Sequence, residues 1–579
     1  IHLPGARNGE QVRLGAFGLV GEVIALQGER ATVQSYEPTE GLRPGEPVQA
    51  LGHPLSVELG PGLLGAIFDG VQRPLETIFA SAGDQIPRGL DLPSLDRERL
   101  WAFTPEDTLE PGSRVQGGVI LGRIPETATI EHRVMVPPGI DGELTELAPA
   151  GDYRVADTIA RVRDAAGVTH KIPLYQRWPG RTPRPYRRRS NAIAPLITGQ
   201  RILDTFFPLL KGGKAAVPGP FGAGKTMVQQ QIARWANADI VIYVGCGERG
   251  NELVDVLETF PELQDPYSGR KLMERTLLVA NTSNMPVVAR EASIYVGVTI
   301  AEYFRDQGYD VVMLADSTSR WAEALREVAG RLGQMPVEEG YPAYLASRLA
   351  AFYERSGRVE TLHGSRGSVS LIGAVSPPGG DFSEPVTSHT KEIVQTFWAL
   401  SKELADARHY PSIDWVGSFS DHVSRAARWW AEEVDGAWEG RRARALGLLA
   451  RDAELSRIVN LVGPEALSHS QRWELESAAL VKEGVLQQSA LDPVDTFCSP
   501  AKQFALLDIT IRIYEQGAAM IDRGVPVQEI AALPLLAKAR RLKQLYRSDQ
   551  VAEIQAFSQE VEAAFDQLRL EYAKHEEHA

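Results

Sequence analysis

Residues 219–226 read GPFGAGKT, and this segment constrains the fold more than any other part of the chain. It follows KAAVP, which is typical of a buried strand, and runs directly into KTMVQQQIARWAN, which has helical character. The segment matches G-x-x-x-x-G-K-[ST], a pattern whose mechanism requires a strand before the glycines and a helix after them. It therefore predicts a strand–loop–helix unit inside an α/β domain.

The residue types in this loop suit a phosphate ligand. Glycines let backbone N–H groups approach phosphate oxygens, and the start of the following helix adds partial positive charge. The lysine reaches the terminal phosphates, and the threonine hydroxyl suits Mg²⁺. A Gly-rich turn without a ligand is the alternative. We predict that the loop binds ATP or ADP with Mg²⁺ through Gly219, Pro220, Phe221, Gly222, Ala223, Gly224, Lys225 and Thr226.

The bulk properties limit the other possibilities. At 579 residues the chain is too long for one core, and roughly 100 to 200 residues per domain predicts three or four domains. A net charge of -14 argues against bulk nucleic acid or an anionic membrane surface as the main partner, because both would be repelled. Two cysteines, Cys246 and Cys498, fit a reducing cytoplasm. No apolar run approaches the roughly 20 residues of a membrane helix.

Hydrophobic periodicity divides the chain into four predicted parts. Short strands broken by Gly and Pro predict an N-terminal β barrel over 1–60 and an inserted β-rich module over 101–185. Strands such as DIVIYVG and DVVMLAD alternate with helices, which predicts a mostly parallel, RecA-like P-loop domain over 61–100 and 186–425. Residues 426–579 are predicted to be helical. The predicted fold class is multidomain α/β. Because residue 1 is isoleucine, a few preceding residues are expected to be missing, with an opening strand among them.

An Arg-rich segment, WPGRTPRPYRRRS, joins the insertion to the α/β domain. Two interpretations are open for it. It is either a patch that contacts phosphate or a solvated return linker stiffened by its prolines, and we favour the linker.

Three residues beyond the loop have the chemistry of a hydrolytic site. The strand DVVMLAD ends at Asp316, where a carboxylate can hold Mg²⁺; an N-cap for the next helix is the alternative. In GCGERGNE, glycines flank Glu248 and Arg249. Glu248 can orient the attacking water and Arg249 can neutralise the γ-phosphate, unless the two form a surface salt bridge. Cys246 is interpreted as a packed thiol, since the local sequence suggests no partner base.

The segments around these residues, including GPFGAGKT, VGCGERGNE, EEGYPAYLASRLAAFYERSG and VSPPGGDFSEPVT, resemble the catalytic A subunit of V/A-type rotary ATPases. The similarity covers nearly the whole chain. It implies ATP hydrolysis or synthesis coupled to proton, or sodium, translocation by a separate membrane sector. It also implies a head of three A and three B subunits with central and peripheral stalks, cytoplasmic and peripheral to the membrane, and no nucleic acid partner.

The resemblance also implies residue roles. It places phosphate and Mg²⁺ at Lys225 and Thr226, the catalytic carboxylate at Glu248, the phosphate-side arginine at Arg249 and the metal-side aspartate at Asp316. The B subunit would supply a further arginine, so the isolated chain is expected to hydrolyse ATP slowly.

Aromatic residues and one departure complete the comparison with that family. Tyr410 in RHYPSID and Phe497 in DTFCSP match positions whose rings flank adenine, and Phe221 lies in the loop itself. Core packing is the alternative for all three rings. Ala223 stands where related subunits commonly have serine, and we expect nucleotide binding to survive because the loop binds mainly through backbone N–H groups.

The expected mechanism is in-line attack on the γ-phosphate by a water that Glu248 orients. Two other functions compete with it. A nucleotide-occupied, non-catalytic subunit is disfavoured because Lys225, Glu248 and Asp316 are intact. A ring ATPase that moves nucleic acid or secreted polypeptide is disfavoured by GCGERGNE and by the long insertion. The net direction of the reaction, the coupled ion and the contacts of the insertion stay open.

Overall fold

The computed structural model describes residues 1–83, 86–90 and 92–576. The chain forms two compact units. The first contains Ile1–Asn191, Lys211–Ala216 and Ala238–Val394, and the second contains Ala192–Leu210, Val217–Asn237 and Gln395–Ala579. Parts of two predicted domains, residues 84, 85, 91 and 577–579, lie outside the described residues. The four domain boundaries stay predictions.

Segments that contain Gly and Pro separate many of the strands and helices. The strands are β1 (Glu10–Leu14), β2 (Leu19–Gln27), β3 (Arg30–Ser35), β4 (Val48–Pro54), β5 (Ser56–Leu59), β6 (Ile67–Phe68), β7 (Leu100–Pro105), β8 (Arg114–Val115), β9 (Ile120–Pro125), β10 (Glu131–Met135), β11 (Gly142–Leu147), β12 (Gly151–Arg154), β13 (Thr158–Asp164), β14 (Thr169–Pro173), β15 (Gln176–Pro179), β16 (Arg188–Arg189), β17 (Lys214–Pro218), β18 (Ile240–Glu248), β19 (Thr276–Thr282), β20 (Asp310–Asp316), β21 (Gly357–Glu360), β22 (Arg366–Val375), β23 (Thr396–Phe397) and β24 (Phe419–Ser420). The helices are α1 (Leu75–Ala82), α2 (Lys225–Trp235), α3 (Gly250–Thr259), α4 (Val287–Asp306), α5 (Thr318–Arg331), α6 (Leu345–Tyr353), α7 (Pro385–Ile393), α8 (Lys402–Asp406), α9 (Val423–Glu433), α10 (Trp438–Val462), α11 (His469–Val481), α12 (Pro500–Ile521), α13 (Val527–Ala531), α14 (Pro534–Leu545) and α15 (Val551–Glu576).

The first unit opens with antiparallel sheets, as the short alternating strands predict. The N-terminal sheet has the order β3–β2–β1–β4 and buries Val12, Leu19 and Val23 in a core of its own. Two further four-stranded sheets follow, ordered β10–β9–β7–β12 and β14–β13–β11–β8. Residues alternate between buried and exposed along β7, which is the pattern of a strand with one face on a core.

A parallel sheet forms the centre of the first unit. Its order is β22–β20–β18–β19–β6, and β18 pairs in parallel with both β19 and β20. The apolar run of β18 predicts a buried strand, and its residues are buried from Ile240 to Gly247. Helix α4 packs against β18, β19, β20 and β22. The α/β prediction is confirmed for this part of the chain.

Two guanidinium groups of the Arg-rich segment after the insertion, those of Arg181 and Arg184, form ion pairs within the first unit. Arg184 is buried and its Nε donates to Asp306 at 2.7 Å. Arg181 forms ion pairs with Glu22 and Glu291, both at 2.5 Å. Our preferred interpretation is therefore wrong in one respect: the segment is a linker, but these two guanidinium groups are neutralised within the first unit. Buried cations need such partners because desolvation is costly.

The second unit is mainly helical beyond residue 422, as predicted. Helices α11 to α15 share a core that includes Trp473, Ile513 and Phe565. A second cluster stacks Trp430 on Trp438, with ring centroids 5.1 Å apart and planes 1° from parallel. Helix α2 belongs to this unit and begins directly after the Gly-rich loop. Among the described residues, no helix is long and apolar enough to cross a membrane.

Candidate nucleotide site

The Gly-rich loop, residues 219–226, has the backbone that its sequence predicts. Gly222 and Gly224 have φ values of 79° and 91°, in the left-handed region that an L side chain rarely adopts. Nothing lies within 4 Å of where a Cβ would project from either glycine, so the backbone is open on those sides. Helix α2 starts at Lys225, and the start of a helix presents backbone N–H groups and partial positive charge to an anion.

The lysine of the loop lies folded onto the loop itself. Lys225 Nζ donates to the carbonyl oxygen of Gly219 at 2.7 Å and to that of Pro220 at 3.0 Å. Thr226 follows in the first turn of α2 and is half-buried. The ammonium is thus held within the loop by backbone oxygens, from which it can move to a phosphate because a charged acceptor binds it more strongly.

A cavity of 540 Å³ adjoins the loop within the second unit. Its lining includes the loop residues Gly222, Ala223 and Gly224, together with Met227 and Tyr410. A segment at 487–491 forms another part of the wall. The volume and the largely apolar wall suit a nucleobase with its sugar. Tyr410 is 47% exposed, so its ring is available to a ligand and is not part of a core.

The other two predicted rings lie in different surroundings. Phe221 is 74% exposed, which rules out core packing for it. Phe497 stacks on Trp235 with ring centroids 5.0 Å apart and planes 26° from parallel. A Cβ on Gly199 would meet the Phe497 ring at 2.2 Å, so the ring is closely packed on that side. Neither Phe221 nor Phe497 lines the cavity, and an adenine contact for either stays a prediction.

Buried charges also face the cavity. Lys543 lines it, and its Nζ donates to the carbonyl oxygens of Glu483 and Gln487. Burial lowers the pKa of this lysine to about 8. Asp495 pairs with fully buried Arg201 at 2.7 Å. These groups tie the 487–491 wall to the helical part of the second unit.

A carboxyl pair lies at the end of the parallel sheet in the first unit. Glu248 ends β18 and Asp316 ends β20, and the parallel register places Gly245 opposite Asp316. Asp316 is 3% exposed, and its Oδ2 accepts a hydrogen bond from the hydroxyl of Tyr243 at 3.0 Å. The N-cap of α5 is Ser317, which accepts from the N–H of Arg320. The alternative role of Asp316 as a helix cap is therefore wrong.

The surroundings of Glu248 disfavour its charge. Desolvation is the main cause, followed by the negative charge of Asp316 and a hydrogen bond with Glu252, and together they raise the pKa of Glu248 to about 8. The guanidinium of Arg320 opposes them. A carboxyl whose pKa is raised this far exchanges a proton near neutral pH, which is a property of catalytic acids and bases.

The turn before Glu248 depends on Gly247. Its φ is 69°, and a Cβ there would meet Cδ of Arg290 at 2.6 Å. Arg249 follows as the exposed N-cap residue of α3.

Cys246 is fully buried, and burial raises its pKa to about 12, so it is a packed thiol and not a thiolate at neutral pH.

Fold and loop together define a P-loop nucleotide-binding protein of the α/β class. Four family models match successive parts of the chain: the ATP synthase alpha/beta family beta-barrel domain at 2–52, the alpha/beta subunit barrel-sandwich domain at 92–181, the alpha/beta family nucleotide-binding domain at 199–420, and the C-terminal domain of V and A type ATP synthase at 427–531. The order β barrel, β insertion, nucleotide-binding domain and C-terminal domain agrees with the predicted fold class.

Two relatives identify the family. The chain is 68% identical over 572 residues to the V-type ATP synthase alpha chain of Nitrosococcus oceani, covering 99% of this chain and 97% of the relative. It is 54% identical over 566 residues to the A subunit of the A-type ATP synthase of Methanopyrus kandleri, covering 97% and 95%. The chain belongs to the family of catalytic A (alpha) subunits of V/A-type ATP synthases, enzymes of ATP synthesis and hydrolysis.

A more distant solved structure shares the fold alone. The type III secretion ATPase EscN of enteropathogenic E. coli superposes with a TM-score of 0.61 at 21% identity, covering 88% of this chain and 96% of EscN. At that identity the likeness shows a shared architecture and carries no conclusion about function.

Proposed function

We propose that Glu248 is the group that orients and activates the attacking water when this chain turns over ATP. The observation that carries the proposal is the half-buried carboxyl of Glu248, with its pKa raised to about 8 beside Asp316 at the end of the parallel sheet. A base poised near the working pH combines a usable ionised fraction with a useful driving force for proton transfer. Glu252 and Asp316 raise the pKa of Glu248 and Arg320 lowers it. These three residues therefore set the pH range in which Glu248 exchanges its proton.

In this proposal the Gly-rich loop, the phosphate loop of the site, binds the triphosphate of ATP. Backbone N–H groups between Gly222 and the start of α2 would bind the phosphate oxygens, and Lys225 would move from its carbonyl acceptors to the terminal phosphates. Arg249 would neutralise charge on the γ-phosphate side. The 540 Å³ cavity with Tyr410 on its wall would take the nucleobase.

The donors proposed for Mg²⁺ fit that ion. Thr226 offers a hydroxyl and Asp316 a carboxylate, and Mg²⁺ prefers such hard oxygen ligands in combination with phosphates and water. Asp316 Oδ2 is oriented by the Tyr243 hydroxyl, as ligating carboxylates commonly are by a second group. When bound, Mg²⁺ would neutralise charge on the phosphate oxygens.

We further propose the assembly that the family implies. The chain would alternate with a B-type subunit in an A₃B₃ head, which contributes an arginine in trans, and would contact central and peripheral stalks. The head would be peripheral to the membrane on the cytoplasmic side, and its turnover would be coupled to proton or sodium translocation by the membrane sector.

The proposal is tested with Glu248→Gln in the chain reconstituted with its B-type partner. We expect ATP turnover to fall by at least a hundredfold, because the amide cannot accept a proton, while ATP binding stays within about threefold of wild type. Glu258→Gln, an exposed carboxyl on α3, is the matched control and should keep normal turnover. Unchanged turnover of Glu248→Gln would favour the non-catalytic, nucleotide-occupied subunit instead.

A further inference from the structure

A serine outside the Gly-rich motif holds one peptide of the phosphate loop. The hydroxyl of Ser412 donates to the carbonyl oxygen of Ala223 at 2.5 Å. Ser412 and Ala223 are each 1% exposed, so water does not compete for this bond. We propose that Ser412 is a positioning residue for phosphate binding, which couples the nucleobase wall at Tyr410 to the phosphate loop.

The geometry of a peptide explains how this bond acts on a ligand. The carbonyl of Ala223 and the N–H of Gly224 belong to one planar trans peptide, so they point in opposite directions. Holding the carbonyl toward Ser412 therefore directs the Gly224 N–H away from Ser412. Left-handed glycines flank Ala223 on both sides, and glycines lose the most conformational freedom on ordering. Because Ser412 fixes the Ala223 carbonyl between these two glycines, the loop loses less conformational entropy when it binds an anion.

Ala223 makes this contact more important. Its methyl group is buried and offers a ligand no hydrogen bond, so residue 223 contributes through its backbone. The orientation of that backbone is what Ser412 controls.

The segment that carries Ser412 is itself anchored within the second unit. The carbonyl of Ser412 accepts from the N–H of Ser401 at 2.8 Å, and the carbonyl of Tyr410 accepts from the N–H of Gln488 at 2.7 Å. The Gln488 side chain donates to the carbonyl of Gly199 at 2.8 Å. Tyr410 and Ser412 thus lie on one braced segment, which contacts the nucleobase cavity at one residue and the phosphate loop at the other.

The test separates phosphate binding from nucleobase binding. Binding of Mg-ATP and of Mg-tripolyphosphate to the full chain is measured by calorimetry for wild type, Ser412→Ala, Ser412→Thr and Tyr410→Ala. Loss of one buried hydrogen bond predicts that Ser412→Ala weakens both ligands by about tenfold, by the same factor, and that Ser412→Thr restores both. Tyr410→Ala should weaken ATP and leave tripolyphosphate unchanged.

Ser420→Ala is the matched control, because the Ser420 hydroxyl also donates to a backbone carbonyl, that of Pro208, at 2.5 Å, away from the loop. It should leave both affinities unchanged.

The inference about Ser412 rests on the proposed nucleotide site, and different results would overturn the site and the role of Ser412. Absence of binding by wild type would overturn the site. Normal tripolyphosphate binding by a folded Ser412→Ala chain, or equal weakening by Ser420→Ala, would overturn the role of Ser412 alone.

Discussion

The hydroxyl of Tyr243 donates to Oδ2 of Asp316 at 3.0 Å, between neighbouring strands of the parallel sheet. Both side chains are buried, and the burial together with the charge of Asp316 raises the pKa of Tyr243 well above its usual value, so the phenol stays a donor. Replacing Tyr243 by Phe keeps the ring and leaves a buried carboxylate with one donor fewer. We expect the free energy of unfolding of the first unit to fall by about 1–3 kcal/mol. Urea unfolding of the wild-type and variant proteins measures it, and equal midpoints would contradict this.

Stability should depend on pH through Glu248. Its pKa rises on folding from 4.5 to about 8, so the folded chain holds this proton more tightly than the unfolded chain. The associated stability is present below pH 4.5 and is lost as the pH rises to about 8. Glu248→Gln does not ionise, and we expect it to be more stable than wild type by about 1–3 kcal/mol at pH 9 and by little at pH 4.5. Urea midpoints at several pH values measure the difference; a constant offset would refute the assignment.

A methyl group at residue 247 should damage the site more than one at residue 250. Gly247→Ala forces an alanine to φ 69° and into contact with Arg290, which displaces the turn that carries Glu248. We expect a loss of about 1–3 kcal/mol in stability and at least tenfold in turnover. Gly250→Ala lies in helix α3 with open space around the new methyl group. Thermal unfolding and turnover of both variants give the comparison, and similar effects of the two changes would speak against the strain at Gly247.

The sequence predicts those parts of the site that lie on one local pattern. Strand, glycines and helix are consecutive around Lys225, and the apolar runs that end at Glu248 and Asp316 are strands because their β-branched residues fit a buried sheet. The two carboxylates at these strand ends are predictable for this reason. The structure confirms the strands and the helical C-terminal part in the described residues.

What the sequence did not predict comes from residues far apart along the chain. Ser412 reaches the cavity from a loop and Lys543 from helix α14, and no local periodicity encodes that these two segments meet. Arg320 acts on Glu248 by its charge from 72 residues further along the chain, a property that depends on distance in space. The Arg-rich segment gave no sign of its buried partners for the same reason, since Asp306 and Glu291 lie more than a hundred residues further along.

Turnover requires ionised Glu248, and the pH dependence of kcat/KM tests this because it reports ionisations of the free enzyme. Wild type and Glu252→Gln are compared in the reconstituted complex, with Glu258→Gln as the control. Glu252 raises the pKa of Glu248 through a hydrogen bond and its charge, so removing that charge lowers the pKa. We expect kcat/KM of wild type to fall below about pH 8, and we expect this acidic limb to move to lower pH in Glu252→Gln and to stay in place in the control. Coincident limbs for wild type and Glu252→Gln would contradict it.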